Sequence, residues 1–325
     1  MRMNTDALVL RVTDTGESDR LLTLLTSEYG VLRAFANRAK KINSKFMGAT
    51  QSLCYAEFSI YTGRDSYIID DANAKEVFFG LRDDIEKLAL GQYFCALAAE
   101  LAPEMEPAGD FLRVVLNSLH LLEKQMRSCR FLKAVTELKL LSLAGFMPDL
   151  TVCRHCEKAP SGDMAFNVRE GCLYCRGSGK TGLVISAGVL AAMRHICSNP
   201  VERIYSFSLP EQDEKKLAEV CEKFLLAQTR KRTESGKSRK LSDVKHIKRR
   251  AFNGCVKPYR DCDKKDFQGE IRVLFGRRRF SESLQTGNIV LANAARRRDK
   301  NFCFVVERRV FGLASKICGR VACGL

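Results

Sequence analysis

Two cysteine pairs of identical spacing restrict the fold of this 325-residue chain more than any other feature. Cys153 and Cys156 form one Cys-x2-Cys pair, Cys172 and Cys175 form the other, and fifteen residues separate the pairs. Thiolates with this spacing are typical of a tetrahedral zinc site. The sequence therefore predicts a structural Zn²⁺ ion in a ribbon over residues 151–180, an insertion too short to bury a sufficient core of its own.

Three other interpretations of these cysteines compete with this one. His155 lies between the first pair and could replace one thiolate as a ligand. A redox Cys-x2-Cys pair usually opens a helix after a strand, and neither pair has that context. A catalytic zinc site needs an open coordination position, which four thiolates do not leave. A structural site with four thiolates is therefore preferred.

The other cysteines favour a reducing compartment. The chain holds fourteen cysteines, yet its first residues do not form a recognisable signal or transit peptide. Its apolar runs are also much shorter than a membrane helix requires. Disulfides belong mainly to small secreted domains. We therefore expect a cytoplasmic protein with reduced thiols and no membrane contact.

The net charge of +16 is not spread evenly along the chain. Residues 1–229 hold 28 Lys and Arg against 29 Asp and Glu, whereas residues 230–325 hold 26 against 9. A large positive charge favours polyanions as partners. Because the excess lies in the last third, nucleic-acid binding by the rest of the chain must depend on local clusters of cations.

Residues 1–74 have the pattern of a small β-barrel. Turn signals such as Thr15-Gly16-Glu17 and Thr62-Gly63 separate short runs of β-forming residues. These runs cover residues 8–12, 21–25, 31–35, 53–61 and 67–69. Five such strands with no helix between most of them are typical of an OB-type barrel, with an SH3-like barrel as the alternative.

From about residue 76 the apolar spacing becomes helical. Phe78, Leu81, Ile85 and Leu88 follow one another at intervals of three and four residues, and helical spacing returns at 186–196 and 212–228. The cysteine insertion thus interrupts a helical bundle made of residues 75–150 and 181–228. The predicted fold class is α+β: an N-terminal OB-fold barrel and a helical bundle with an inserted four-cysteine zinc ribbon.

A cluster of cations follows the third predicted strand. Residues 37–45 contain no acid, and their cations are Arg38, Lys40, Lys41 and Lys45. In OB folds, inter-strand loops and the adjoining sheet face form the groove for a single-stranded nucleic acid. The sequence predicts a DNA-binding surface at these residues, extended by Arg33 and Arg64. The alternative is an ordinary solvated basic loop.

Aromatic rings near this loop also have two interpretations. Phe35, Phe46 and Tyr61 could stack on bases, or they could fill the barrel core, which is the more common role for any single ring. No nucleophile elbow, metalloprotease helix or paired-carboxylate motif is recognisable in the sequence. We therefore expect a protein that is not an enzyme.

The order of these parts resembles the bacterial RecO family of recombinational repair proteins. The resemblance rests on Leu10-Arg11-Val12, on residues 16–26 and 28–36, and on the cysteine spacing, and it extends to about residue 228. It implies a cytoplasmic, nucleoid-associated protein that binds single- and double-stranded DNA and anneals complementary strands. It also implies action with RecR and the C-terminal tail of single-strand-binding protein in loading RecA recombinase.

The resemblance assigns the partner surface to the helical domain. Arg127, Arg130 and Lys133 are the candidates there, because they are cations beside an apolar helix face. An adaptor that binds proteins through its bundle and zinc ribbon, with incidental DNA contact, is the alternative function.

The end of the chain departs from the family pattern. Residues 229–325 are rich in Ser, Lys and Arg and show no sustained periodicity, so we expect this tail to be disordered. Two explanations remain open: a natural basic DNA-binding extension, or a slip of the reading frame near Thr229.

Overall fold

The computed structural model describes residues 2–41, 44, 46, 48–63 and 66–234. Within these residues the chain forms five strands, three helices, a small sheet and two further helices, in that order. The predicted α+β class is confirmed. Residues 235–325, which make up nearly all of the predicted tail, lie outside the described residues.

The first five strands pair into one closed sheet. They are β1 (Arg2–Thr15), β2 (Asp19–Thr26), β3 (Val31–Ala36), β4 (Cys54–Thr62) and β5 (Tyr67–Val77). Their order is β1-β2-β3-β5-β4, and β4 pairs in turn with β1. The β3–β5 pair is parallel, and the other four pairs are antiparallel. Because every strand has two neighbours, this sheet has no open edge.

Alternating side chains explain why these segments form a barrel. Leu22 and Leu24 on β2 and Phe58 on β4 are fully buried inside it. Thr23 and Arg33 occupy the alternate positions on the outer face. Each strand thus has one face for the barrel core, whereas the other face carries exposed side chains such as Arg33 and, at Leu8, Leu25 and Val31, packs against the helices. The five predicted runs all lie within or overlap these strands, although β1 and β5 are longer than predicted.

Five helices follow the pattern of apolar residues and helix caps. They are α1 (Ile85–Leu101), α2 (Gly109–Glu123), α3 (Cys129–Leu143), α4 (Ala187–Ser198) and α5 (Glu211–Glu234). The side chains of Asp84, Ser128 and Ser186 accept hydrogen bonds from backbone N–H groups in the first turns of α1, α3 and α4. Helix α5 continues past the end predicted near Gln228.

The cysteine-containing insertion forms a separate small sheet between α3 and α4. Its strands are β6 (Asp149–Cys153), β7 (Met164–Asn167), β8 (Cys172–Cys175) and β9 (Leu183–Ile185), in the order β6-β8-β7-β9. The ring of Phe166 lies 5.5 Å from that of Phe224 on α5, edge to face. The Gln228 side chain donates to the Val168 carbonyl at 2.9 Å. These contacts fix the insertion on the helical domain.

Backbone hydrogen bonds join the barrel to the helices at one turn. The Val31 N–H donates to the Pro103 carbonyl (2.8 Å), and the Ala108 N–H donates to the Ser27 carbonyl (2.9 Å). The turn between β2 and β3 therefore lies against the connection between α1 and α2. Gly30, at φ +61°, allows this close approach.

Candidate DNA interface and metal centre

The cationic loop leaves the barrel at the end of β3. Arg38 is exposed and has a left-handed backbone conformation (φ 57°), and its N–H donates to Asp19 Oδ1 at 2.7 Å. This hydrogen bond fixes the start of the loop against β2, while the exposed Arg38 side chain extends from the surface. Of the predicted cations in this loop, Lys45 lies outside the described residues, as does Arg64 in the β4–β5 turn.

The two lysines of the loop differ in their surroundings. Lys40 is half-buried: its Nζ lies 3.6 Å from Asp14 Oδ2 and donates to the Gly16 carbonyl at 3.3 Å. Lys41 is exposed. The charge of Lys40 is thus partly balanced by Asp14, whereas Lys41 presents its charge to solvent. We expect Lys41 to contribute more than Lys40 to binding an anion.

Arg33 extends the positive surface from the loop onto the sheet. It is exposed on β3, directly opposite Thr23 on β2, which in turn lies opposite Arg11 on β1. Neighbouring strands are about 4.8 Å apart, so the Cα atoms of the two arginines are separated by about 10 Å. The sequence-based prediction missed Arg11, although a charged residue within the apolar run of β1 is expected to avoid the barrel core.

The three candidate aromatic rings occupy different environments. Phe46 is buried in the barrel core and is not accessible for stacking. Phe35 is half-buried on the outer face of β3, between Leu21 and Ile68. Tyr61, near the end of β4, is 38% exposed. Phe35 alone of these three shares the outer face of β3 with Arg33.

The predicted partner-binding residues differ in how exposed they are. Arg130 is exposed. Arg127 is half-buried; its guanidinium donates to the Tyr205 carbonyl at 3.0 Å and lies over the Phe131 ring at 5.2 Å. These contacts stabilise the start of α3, and both arginines remain candidates.

Lys133, the third candidate, is not on the surface. Its side chain is 2% exposed, and its Nζ lies 2.7 Å from Glu222 Oε2 and 3.4 Å from Glu137 Oε1. Burial acts to lower the pKa of Lys133, but these two carboxylates raise it overall. The assignment of Lys133 to a partner surface is therefore corrected: the residue is a buried ion-pair partner inside the bundle.

Three of the four predicted metal ligands form one cluster. The Sγ atoms of Cys153, Cys156 and Cys175 all lie within 4.8 Å of one another. A tight turn after β6 brings Cys156 back toward Cys153, with Glu157 N–H donating to the Cys153 carbonyl at 2.8 Å. Cys175 reaches the cluster from the end of β8, and its N–H donates to Cys153 Sγ at 3.1 Å.

The polypeptide around Cys153 favours its thiolate. Burial acts to raise the pKa of this thiol, but hydrogen bonds from the backbone of Cys156, His155 and Cys175 lower it overall to about 6. Thiolates, not thiols, are the ligands of zinc. The backbone N–H groups around Cys153 thus stabilise its deprotonated sulfur, which is the form that binds a metal ion.

Cys172 and His155 do not join the cluster. Among the described residues, the group of potential ligand atoms contains neither of them. Cys172 is buried with Ala165 and Tyr174, and its Sγ lies 3.5 Å from Glu170 Oε2. The structure thus brings three predicted ligands together and places the fourth elsewhere.

The three thiols line an open cleft of about 490 Å³. Its other lining residues are Lys158, Ala159, Ser161, Asp163, Met164 and Arg176. Three sulfurs fit three corners of a zinc tetrahedron. Among the described residues, no further His, Cys, Asp or Glu ligand atom joins this group.

Comparisons with known proteins identify the family. A model described as Recombination protein O N terminal matches residues 1–78, and one described as Recombination protein O C terminal matches residues 82–237. A DNA repair protein RecO from Pelotomaculum thermopropionicum is 31% identical over 202 residues, which are 61% of this chain and 78% of that protein. The chain belongs to the RecO family.

Other RecO proteins agree with this assignment. That of Acetivibrio thermocellus is 29% identical over 226 residues, covering 69% of this chain and 90% of that protein. That of Clostridium novyi is 26% identical over 250 residues, covering 77% and 96%. The RecO model ends at residue 237, so the basic segment beyond it lies outside the family match. Within the described part of this RecO chain, none of the helices is both long enough and apolar enough to span a bilayer.

Proposed function

We propose that this RecO-family protein is a non-enzymatic DNA repair and recombination mediator whose barrel binds DNA through phosphate contacts. The observation that carries the proposal is the exposure of Arg33, Arg38 and Lys41 on β3 and the loop that follows it. Cations placed in this way attract the phosphate backbone without selecting a base sequence. The same surface would therefore accept single- and double-stranded DNA.

The topology of the barrel supports this location. We assign it to the OB fold, because five strands close in the order β1-β2-β3-β5-β4 with one parallel pair. OB folds bind oligonucleotides on the face of their second and third strands and on adjacent loops. Thr23 on β2 and Arg33 on β3 occupy that face here.

Charge neutralisation gives this surface a mechanism for annealing. Two complementary strands repel each other through their phosphates, and cations between them lower that repulsion. Contacts to phosphate leave base edges available for pairing. We propose that the barrel anneals strands in this way and that it helps load RecA recombinase together with RecR.

The helical domain is the proposed site for the acidic C-terminal tail of single-strand-binding protein. Arg130 is exposed on α3, and Arg127 lies beside the Phe131 ring, so cationic and apolar groups are adjacent there. An acidic-hydrophobic peptide matches both kinds of group. Lys133, which is buried, has no part in this surface.

We also propose that the cysteine cluster binds a structural Zn²⁺ ion. When bound, the ion would cross-link β6 to β8 through thiolate bonds. The small sheet has strands of only three to five residues, and most of its buried side chains belong to the core that it shares with the helices. Metal ligation supplies folding energy to such segments, so the ion would fix the ribbon on α5.

Replacing the surface cations tests the DNA-binding proposal. In a chain ending at residue 237, we expect the combined change of Arg33, Arg38, Lys40 and Lys41 to Ala to weaken single-stranded DNA binding by at least about 100-fold at low salt. Each contact between a cation and a phosphate releases counterions from the DNA, and this release favours binding, so each lost contact lowers the affinity. Fluorescence anisotropy with a labelled oligonucleotide measures the affinity.

A matched control removes the same amount of charge from the helical domain. Arg113, Lys124, Lys215 and Lys223 are exposed on or beside α2 and α5, and their change to Ala should alter the affinity by less than about fivefold, through long-range charge alone. Equal losses in both variants would indicate a diffuse charge effect. Unchanged affinity in the barrel variant would contradict the proposed site and favour the adaptor function.

A further inference from the structure

We infer that the metal centre has three protein thiolates, those of Cys153, Cys156 and Cys175, and a fourth coordination position that is open to an external ligand. Cys172 is then not a metal ligand, despite its spacing. The inference rests on the proposed metal binding and specifies which atoms provide it. It differs from the four-thiolate site that the cysteine spacing alone predicts.

Strand geometry separates the two cysteines of the second pair. Cys172 and Cys175 are the first and last residues of β8, three positions apart. Successive side chains of a strand point to opposite faces, so residues three apart also point to opposite faces. In a zinc knuckle the two cysteines lie in a tight turn instead, as Cys153 and Cys156 do here. One strand cannot direct both sulfurs of the second pair to the same ion.

The surroundings of Cys172 hold it on its own face. Its backbone lies opposite Asn167 on β7, and the Gly171 N–H donates to the Asn167 carbonyl at 2.8 Å. The Gly171 carbonyl in turn accepts from the Asp149 N–H at 2.7 Å. Rotating β8 to bring Cys172 to the cluster would break these hydrogen bonds, so a shift of register is unfavourable.

The packing behind β8 adds a second restraint. Gly171 has φ +69°, and a Cβ placed on it would lie 3.2 Å from the Phe224 ring of α5. The Cys172 side chain is 2% exposed, and Tyr174, on the same face, donates to Glu170 Oε2 at 2.6 Å. Cys172 and Tyr174 thus share one face of the sheet with Ala165, whereas Leu173 and Cys175 lie on the opposite face, which packs on the core that contains Phe224 and Cys153.

The environment of the cluster indicates what the fourth position can bind. Cys153 is buried, Cys175 is half-buried and Cys156 is exposed, so the cluster opens to solvent on the side of Cys156. The cleft there is about 490 Å³, large enough for water or a small monodentate donor. Zinc with three protein ligands keeps an exchangeable fourth position. The site therefore fits a soft divalent cation that can take one outside ligand.

Zinc affinity in the full-length protein distinguishes the two ligand sets. We compare the parent chain with Cys175→Ser and Cys172→Ser, using competition with a chromophoric chelator. Loss of a direct ligand should weaken zinc binding by at least about 100-fold, beyond the range of outer-sphere changes. We expect this loss for Cys175→Ser and a change of less than about tenfold for Cys172→Ser. Cys172→Ala provides a second test, and circular dichroism verifies folding.

Cobalt substitution examines the fourth position directly. The visible bands of Co²⁺ bound to the parent chain should shift when imidazole is added, because an open position accepts the new donor. An unshifted spectrum, or equal zinc losses in Cys172→Ser and Cys175→Ser, would overturn the three-thiolate assignment. A parent chain that binds no metal would instead contradict the proposed metal site itself. Neither outcome depends on DNA binding.

Discussion

Replacement of Lys133 by Met is expected to lower the free energy of unfolding by about 3–5 kcal/mol. The Nζ of Lys133 lies between Glu222 and the fully buried Glu137, whose Oε1 also accepts from the Tyr93 hydroxyl at 2.5 Å. Removing the cation leaves the Glu137 carboxylate buried without its opposite charge. Urea denaturation of the parent and variant chains measures the difference.

Lys223→Met is the matched control for this prediction. Lys223 lies on α5 and pairs with Glu219 at 2.6 Å, but its side chain is 50% exposed. An exposed ion pair contributes about 0–1 kcal/mol, so this variant should be nearly as stable as the parent. If Lys133→Met also costs less than about 1 kcal/mol, the buried cluster does not stabilise the bundle as described.

Replacement of Gly30 by Ala is expected to destabilise the protein by about 4 kcal/mol or more, a value reached only by strong steric or burial defects. Gly30 has φ +61°, and a Cβ there would overlap the Pro103 carbonyl oxygen and lie 2.7 Å from that of Glu106. Both contacts are with backbone atoms that also form the junction between barrel and helices. To relieve this overlap, the barrel and the helices would have to move apart.

Gly16→Ala isolates the contribution of backbone conformation. Gly16 has nearly the same φ, +60°, but no atom lies within 4 Å of a Cβ placed on it. A left-handed conformation costs an L-residue about 1–2 kcal/mol, and we expect that loss alone. If Gly30→Ala and Gly16→Ala lower the free energy of unfolding equally, the junction between barrel and helices accommodates the extra Cβ at little cost.

The barrel could be predicted from sequence because turn signals separate its short runs of β-forming residues. Leu22, Thr23 and Leu24 already identify which face of β2 is buried. The start of α1 is harder to predict. Phe78 and Leu81 have helical spacing, but residues Phe79–Asp83 form a 3-10 helix that precedes α1. Both residues pack into the core without belonging to α1, and apolar periodicity alone does not separate these cases.

Two predicted site residues, Cys172 and Lys133, lie away from the positions expected of them, and both differences have physical causes. Cys-x2-Cys spacing does not reveal whether the pair lies in a turn or in a strand, and β8 places Cys172 away from the other sulfurs. The position of Lys133 beside an apolar helix face predicts a surface cation, but Glu137 follows it by four residues, the spacing of an ion pair on a helix. That signal was available in the sequence, whereas the contribution of Glu222 depends on tertiary packing.

The salt dependence of DNA affinity shows whether the barrel binds DNA through its phosphates. The measurement uses a chain ending at residue 237. Residues 230–325 hold 26 Lys and Arg against 9 Asp and Glu, and this excess of positive charge would otherwise bind any polyanion. For about five neutralised phosphates, a plot of log affinity against log salt should have a slope of roughly −3.5 with single-stranded DNA. A slope near zero, or no binding at low ionic strength, would contradict the account.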